Sequence, residues 1–301
     1  GYGLLVKTLE GRPIKLEGNP KHPMNLGGLV ARTHAEVLAL YDPDRLKNPV
    51  RNLLNKERTN RETVRANWQD VDTKVVEGLK NGGVAILSST LPSPSTRAII
   101  EDFRRAYGAR WVQYDSLPVD AVVEAQRRSY GKAVMPRYRF DQAKMIVSID
   151  ADFLGTYLSP AEFMKQWSTI RKPGPDMARL VMFESTVSLT GLNADDRVRI
   201  KPSQQLDVAV ALIQSVVSAS KGALALPAAV RGLVKEDAAA NLGMKPELLA
   251  RIGEELWANR GKGLVIAGGL PTADAVEVQV AVNLLNSLLG NDGKTIDYDG
   301  S

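Results

Sequence analysis

Few residues in this chain have chemical reach, and they are unevenly placed. The stretch IKLEGNPKHPMNLGGLVARTH (14–34) holds both histidines, His22 and His34, and the pair Gly27-Gly28, in a segment filled with turn residues. Two such imidazoles can begin a metal site, or they can satisfy backbone groups of the loop that carries them. Ser88 and Ser89 end an apolar run, where open α/β sheets present ligands. A Ser/His pair would have to reach from there back to the first 34 residues. Gly268-Gly269 follows the run GLVIA and precedes a helical pattern with Thr272 as a candidate cap. That arrangement could hold an anion at a helix N-terminus, but a tight βα turn is the preferred reading. Neither GxxxxGK(S/T) nor a GxGxxG after a strand occurs, so the familiar phosphate loops are excluded.

The absence of cysteine is the strongest constraint. It rules out disulfides, thiolate zinc sites, cysteine nucleophiles and any iron–sulfur cluster held by this chain alone. The 39 basic and 34 acidic residues leave a net charge of +5, with both signs interspersed. The densest basic stretch, RNLLNKERTNRETVR (51–65), also carries Glu57 and Glu62, and reads as a solvated linker rather than a phosphate-binding face. No apolar run approaches the roughly 18 residues that span a bilayer. The opening GYGLLVKTLEGRP lacks the features of a signal peptide. A start without Met and the turn-rich tail GNDGKTIDYDGS read as a fragment or processed chain.

The elements that must position these residues follow from pattern. LLVKTLEGRPIKLEG (4–18) reads as two short strands around Glu10-Gly11-Arg12-Pro13, and ARTHAEVLALY (31–41) as a helix ended by Asp42-Pro43. Residues 42–70 are polar and basic without periodicity, and read as an extended connection. From residue 72 the continuously apolar runs GVAILSS, ARWVQYD, AKMIVSID, ARLVMFES and KGLVIAGG alternate with helical patterns of about 10–15 residues. That is the grammar of βαβ units in a doubly wound, mainly parallel α/β sheet covered on both faces. PSQQLDVAVALIQSVVSA (202–219) is apolar nearly all round, as a core helix is. The expected division is residues 1–70, a small β-rich segment with its connection, and 71–301, the α/β region of a longer chain.

EGRPIKLEGNPKHPMNLGGLVARTHAEVLALYDPDRLKNPVR (10–51) closely resembles the N-terminal signature of the molybdopterin oxidoreductase family, which includes dimethyl sulfoxide reductase and formate dehydrogenase. In that family EGNPxHP leads to a G-x-L-C-x-(K/R)-G turn, a helix and YDPDR(L/I), and the cysteine is the last of four ligands to a four-iron, four-sulfur cluster. This chain reads Gly27-Gly28-Leu29-Val30-Ala31-Arg32-Thr33, with Val30 at the ligand position. AKMIVSIDADFLGT (143–156) sits where the family has a strand and a W-G-x-N-P loop on the pterin guanine dinucleotide. RLVMFESTVSLTGLNADDRVRIKPSQQLDVAVALI (179–213) is similar to the family's strand, D-P-R turn, short strand, R-P-G-T-D turn and helix. Ser185 and Thr186 stand in the first turn and Ser203 and Gln204 in the second, so these pterin-site positions are altered. LLNSLLGNDGKT resembles the G-N-I-G-R-P ending. The family's metal ligand falls near QRRSYGKA (126–133), where only Ser129 could serve, and an ordinary surface serine is the preferred reading of that position.

The resemblance thus implies a molybdopterin-enzyme fold that keeps its shaping residues (Gly18, Pro20, Pro23, the Tyr41–Arg45 bend) and has lost cluster and pterin together. SIDADFLGT, SPAEF and SLTGLNADDRVR are similar in particular to the cofactor-free domain of the large iron–sulfur subunit of alternative complex III, a quinol:electron acceptor oxidoreductase. The degenerate domain of the complex I large iron–sulfur subunit and a fragment of an active molybdopterin oxidoreductase are the alternatives. The first resemblance implies a non-catalytic scaffold without cofactors of its own on the periplasmic face of the membrane. Its partners would be a ferredoxin-like iron–sulfur domain, a multihaem cytochrome c and a quinol-binding integral membrane subunit, which carry the clusters and haem c. With no cluster to hold it, the opening loop should bury Leu29 and Val30 in an apolar pocket, with Asn19 and His22 satisfying backbone groups.

Overall fold

The chain begins with an antiparallel hairpin, β1 (Leu4–Leu9) and β2 (Arg12–Gly18). Its two-residue turn, Glu10-Gly11, has φ of 49° and 76°, the left-handed pair that matches the twist of the flanking strands. Arg12 and Pro13 therefore belong to the second strand, not to the turn. α1 (Ala31–Ala39) follows the Gly-rich loop. The computed structural model describes residues 1–54, 61–91, 93–226, 242–269 and 272–298. They fall into two compact units, Gly1–His34 with Val119–Ser301, and Ala35–Pro118.

In Ala35–Pro118 the stretch expected to be an extended connection instead forms an antiparallel pair, β3 (Val50–Leu54) and β4 (Arg61–Arg65). Strands this short, with charged or amide residues interrupting Val50, Leu53, Leu54 and Val64, carry no regular apolar alternation. Cross-strand polar pairing supports them: Thr63 Oγ1 donates to Asn52 Oδ1 at 2.9 Å. Residues 55–60, the middle of the basic stretch, lie outside the described residues. α2 (Trp68–Lys80) starts where Asn67 Oδ1 accepts the amide of Asp70 at 2.8 Å. β5 (Ala85–Ser88), α3 (Pro94–Tyr107) and β6 (Arg110–Gln113) then form a βαβ unit with parallel strands. Pro94 opens α3 and left-handed Gly108 closes it.

The larger unit resumes with α4 (Asp120–Tyr130) and the short β7 (Arg137–Tyr138), followed by β8 (Met145–Ile149) and α5 (Pro160–Ile170). β9 (Arg179–Glu184), the single-turn α6 (Leu189–Leu192), β10 (Asp196–Arg199) and α7 (Gln205–Ala219) come next. The unit ends with α8 (Pro246–Ala258), β11 (Gly263–Ala267), α9 (Ala275–Leu288) and β12 (Ile296–Asp297), which pairs with β7. β8–β11 make one parallel sheet in the order β10-β9-β8-β11. The chain builds outward from β8 to β10 and then crosses to place β11 on the other side of β8, so the strand order reverses between β8 and β11.

Alternation along the buried strands sorts side chains to two cores. Val147, Ile149, Val181, Phe183 and Val265 pack with α7, α8 and α9. Ile146, Leu180, Leu264 and Ile266 pack with an aromatic group in which Phe140 stacks on Phe153 at 4.3 Å between ring centroids. Gly253 brings α8 against α7 so closely that a Cβ there would lie 2.6 Å from the carbonyl carbon of Ser215.

The outer edge of β11 is closed by side chains rather than by another strand. Thr295 Oγ1 donates to the Gly263 carbonyl at 2.6 Å and Gln279 Nε2 to that of Ala267 at 2.7 Å. Between them the buried Asn286 takes the Val265 amide at 3.0 Å and returns its own NH2 to the Val265 carbonyl at 2.7 Å. Among the described residues no helix is long and apolar enough to cross a membrane.

Candidate functional site

The carboxyl ends of the parallel strands bring together residues that are distant in sequence. Asp150 follows β8, Ser185 follows β9, Gln205 opens α7 beyond β10, and Gly268-Gly269 follow β11. In an open α/β sheet the crevice at the reversal of strand order is where ligands bind. Here it is closed from within. Asp150 is left-handed (φ 55°), and its amide donates to the Phe183 carbonyl at 2.7 Å. That turn aims its carboxylate at the neighbouring strand end, where it accepts from the Ser185 amide at 3.2 Å, the Ser185 hydroxyl at 3.3 Å and Gln205 Nε2 at 3.0 Å. Burial raises the Asp150 carboxyl above its ordinary value and nearby Glu184 adds to this, while the donors from Ser185 and Gln205 pull against it.

On the β11 side the turn packs tightly against its neighbours. Gly268 lies under the ring of Tyr157, with its amide on the Ile149 carbonyl at 3.0 Å, and Gly269 (φ 94°) lies against the Asp150 carbonyl. A Cβ would run into the Tyr157 ring at Gly268 and into the Asp150 carbonyl at Gly269, where the left-handed backbone favours glycine as well. α9 begins at Ala275 after Asp274, so Thr272 is not its cap; instead the Thr272 carbonyl accepts the Ala275 amide at 3.2 Å. Residues 270 and 271 lie outside the described residues.

A second layer braces this edge. The fully buried Glu184 pairs with Arg197 and accepts from the amide and hydroxyl of Ser188. Asp152 Oδ1 accepts from the Thr190 amide at 3.0 Å and hydroxyl at 2.8 Å, and Thr190 Oγ1 in turn accepts the Leu154 amide at 3.0 Å.

The sequence-derived positions fall unequally on this geometry. Ser185 is part of the network, whereas Thr186 and Ser203 are exposed. Gln204 turns back to accept the Lys201 amide at 2.9 Å, and it is the next residue, buried Gln205, that reaches the crevice. Asp150 was visible only as the polar residue ending an apolar run. Ser129 is exposed near the end of α4 and accepts Asn283 Nδ2 at 3.1 Å, a contact with the middle of α9. Ser88 accepts Trp111 Nε1 at 3.0 Å and donates to the Ser89 carbonyl at 2.8 Å.

The opening loop is organised by a residue that pattern reading missed. Asn25 is fully buried; its Oδ1 accepts the Gly3 amide at 3.0 Å, and its Nδ2 donates to the carbonyls of Gly3 at 3.2 Å and Gly28 at 2.9 Å. Asn19 Oδ1 accepts the Lys21 amide at 2.9 Å and His22 Nδ1 faces the amides of Met24 and Asn25, so both act on the backbone as expected. His34 is engaged separately, its Nδ1 at 2.9 Å from the Leu16 carbonyl. Gly18 packs on the Gly27 carbonyl, and Gly28 rests against the Ala161 carbonyl of α5. Leu29 and Val30 are half-buried rather than sealed in an apolar pocket, because Asn25 supplies the centre of the loop. Among the described residues no group of three or more His, Asp or Glu side chains is placed to hold a metal ion.

A doubly wound parallel α/β sheet with this N-terminal hairpin and loop is the fold of the molybdopterin oxidoreductases. The solved structure of acetylene hydratase from Pelobacter acetylenicus superposes on 98% of the chain with a TM-score of 0.69 at 14% identity, and the chain covers 42% of it. Over 97% of its length the chain is 25% identical to the menaquinone reductase, molybdopterin-binding-like subunit of Nitratidesulfovibrio vulgaris, covering 43% of that protein. Over 71% it is 23% identical to the probable oxidoreductase YyaE of Bacillus subtilis, covering 32% of it. The chain thus spans less than half the length of these curated relatives. No family model matches it.

Proposed function

We propose that this chain is a cofactor-free, molybdopterin-enzyme-like domain of a membrane-associated, quinone-linked electron-transfer complex, where it acts as a scaffold. The observation that carries the reading is the crevice at the reversal of strand order. Its donors, Ser185 and Gln205, are spent on the chain's own Asp150 rather than held open for a ligand. The printed name of the Nitratidesulfovibrio relative, a molybdopterin-binding-like subunit of a menaquinone reductase, supports the setting.

The groups the fold would otherwise hold do not fit these residues. A cubane cluster needs four ligating side chains, commonly thiolates, and the chain has no cysteine; at the expected ligand position stands Val30, in a loop already tied by Asn25. Ser129, the candidate metal ligand, is engaged by Asn283. A large α/β domain retained without such groups serves by shape, presenting permanent interfaces to redox partners. Alternative complex III, with a ferredoxin-like iron–sulfur domain, a multihaem cytochrome c and a quinol-binding membrane subunit on the periplasmic face, is the finer form of this proposal.

Two measurements test it. Elemental analysis of the purified chain should show neither molybdenum nor iron in stoichiometric amount; either metal at one equivalent refutes the cofactor-free reading. The tagged protein, extracted from native membranes in mild detergent, should bring with it haem c and quinone-dependent electron transfer. Recovery as an unaccompanied soluble species refutes the scaffold role.

A further inference from the structure

The four-stranded parallel sheet has two ends, and the one opposite the crevice is electrostatically lopsided. Lys144 and Lys262 immediately precede the adjacent strands β8 and β11, and the Lys144 amide donates to the Lys262 carbonyl at 2.7 Å. Like charges set side by side across a sheet are destabilising. One acid answers them. Asp176, its side chain 92% exposed, takes Lys144 Nζ on its carboxylate at 2.7 Å and on its carbonyl at 3.1 Å. That hydrogen bond, with the charges of Lys144 and Lys262, holds the Asp176 carboxyl below its ordinary value. Lys172 opens the exposed loop Lys172-Pro173-Gly174-Pro175, whose two prolines restrict its backbone, and it lines a cleft of about 540 Å³ with Lys144, Asp176 and Lys262. Arg260 extends the same lining, and Lys294 stands beside it, its Nζ 2.7 Å from where a Cβ on Gly261 would lie.

The neighbouring acids are committed elsewhere. Asp196 and Glu255 pair with Arg179 and Arg251, and Asp195 pairs with Arg171. Cations do collect at helix C-termini, where they offset the dipole, and Arg260 serves α8 in that way, its Nη1 on the Trp257 carbonyl at 3.0 Å. Lys172, Lys262 and Lys294 have no such contact: among the described residues their ammonium groups hold no hydrogen bond or ion pair.

We propose that this end of the sheet is a docking surface for an acidic segment of a partner protein, whose Asp and Glu carboxylates enter the cleft and pair with Lys172, Lys262 and Lys294. The proposal rests on the scaffold reading and gives one of its interfaces a chemistry. Complementary charge selects the occupant. A symmetric second copy sets like charges against each other. An anionic lipid surface fits less well, because peripheral membrane binding adds an apolar face to the basic one, and Met177, at 41%, is the one exposed large apolar side chain lining the cleft.

The test uses the complex extracted from native membranes in mild detergent, with the chain alone as reference. Acetylation by N-hydroxysuccinimide acetate, read by mass spectrometry, should be several-fold slower at Lys172, Lys262 and Lys294 in the complex. Carbodiimide should join Lys172 or Lys262 to an Asp or Glu side chain of another subunit. Lys172→Glu with Lys262→Glu should leave the melting midpoint of the chain unchanged and weaken retention of that subunit at least about tenfold, whereas Lys172→Arg with Lys262→Arg should retain it. Three results overturn the inference and leave the scaffold reading standing: equal acetylation in complex and chain, cross-links confined to this chain, or full retention by the glutamate pair. Protection of the chain by phosphatidylglycerol vesicles and not by the partner also overturns it, assigning the surface to the membrane. Recovery of the chain without any partner ends both readings.

Discussion

Asn286→Ala tests whether β11 is held by polar edge closure. Asn286 has no solvent exposure, and its side chain serves both main-chain groups of Val265, the amide at 3.0 Å and the carbonyl at 2.7 Å. It also accepts Asn291 Nδ2 at 3.0 Å. The Asn286 Nδ2 further donates to the Val282 carbonyl at 3.0 Å, and alanine removes all four contacts, leaving the Val265 amide and carbonyl buried without partners. An unsatisfied buried group costs about 1–3 kcal/mol, so the loss should fall at about 2–6 kcal/mol. Against a domain stability of about 5–15 kcal/mol, that is a large fraction. Urea denaturation gives the total, and amide exchange at Val265 reads the edge itself, whose protection should collapse while that of β9 changes less. Asn286→Asp keeps the acceptor, loses the donor and buries a charge, and should be at least as damaging. If Asn286→Ala costs less than about 1 kcal/mol and Val265 stays protected, the edge is closed by something other than this amide.

Three further substitutions probe other parts of the argument. Val30→Cys should recruit no cluster, because one thiolate cannot replace four ligands; anaerobic reconstitution should leave the visible spectrum empty, and stability should drop by less than about 1.5 kcal/mol. Asp150→Asn addresses pH. The native carboxyl pKa lies above the ordinary 3.8, so the folded state holds its proton more tightly than the unfolded state does. The contribution of Asp150 to stability therefore declines as pH rises from 3.8 through the raised native value, and melting curves of the asparagine variant should lack that decline. Gly253→Ala should cost about 1–3 kcal/mol by forcing α8 away from Ser215, read by denaturation; an unchanged midpoint would mean the helices separate freely.

The apolar strands of the larger unit were legible because burial on both faces writes itself as continuous hydrophobic runs, and MIVSI, RLVMFE and GLVIA all fall in the parallel sheet. The β3–β4 pair was not, since neither strand has a buried face to mark its period. At the crevice, Ser185 could be placed by its turn, while Asp150 and Gln205 depend on strands meeting side by side, which no local pattern encodes. Asn25 escaped notice for a related reason. An asparagine in a loop looks like an ordinary turn residue until three backbone groups, two of them on Gly3, converge on it.

The self-satisfied crevice also bears on which changes a lineage carrying it can survive. Losing Asp150 strands the donors of Ser185 and Gln205, and losing Gln205 removes one of the partners of a half-buried carboxylate. Each single step toward an open, ligand-binding crevice therefore passes through a destabilised intermediate, whereas drift elsewhere on the surface costs little. Such a network works as a ratchet: entry needs only that the donors find an internal acceptor, and return needs several substitutions at once.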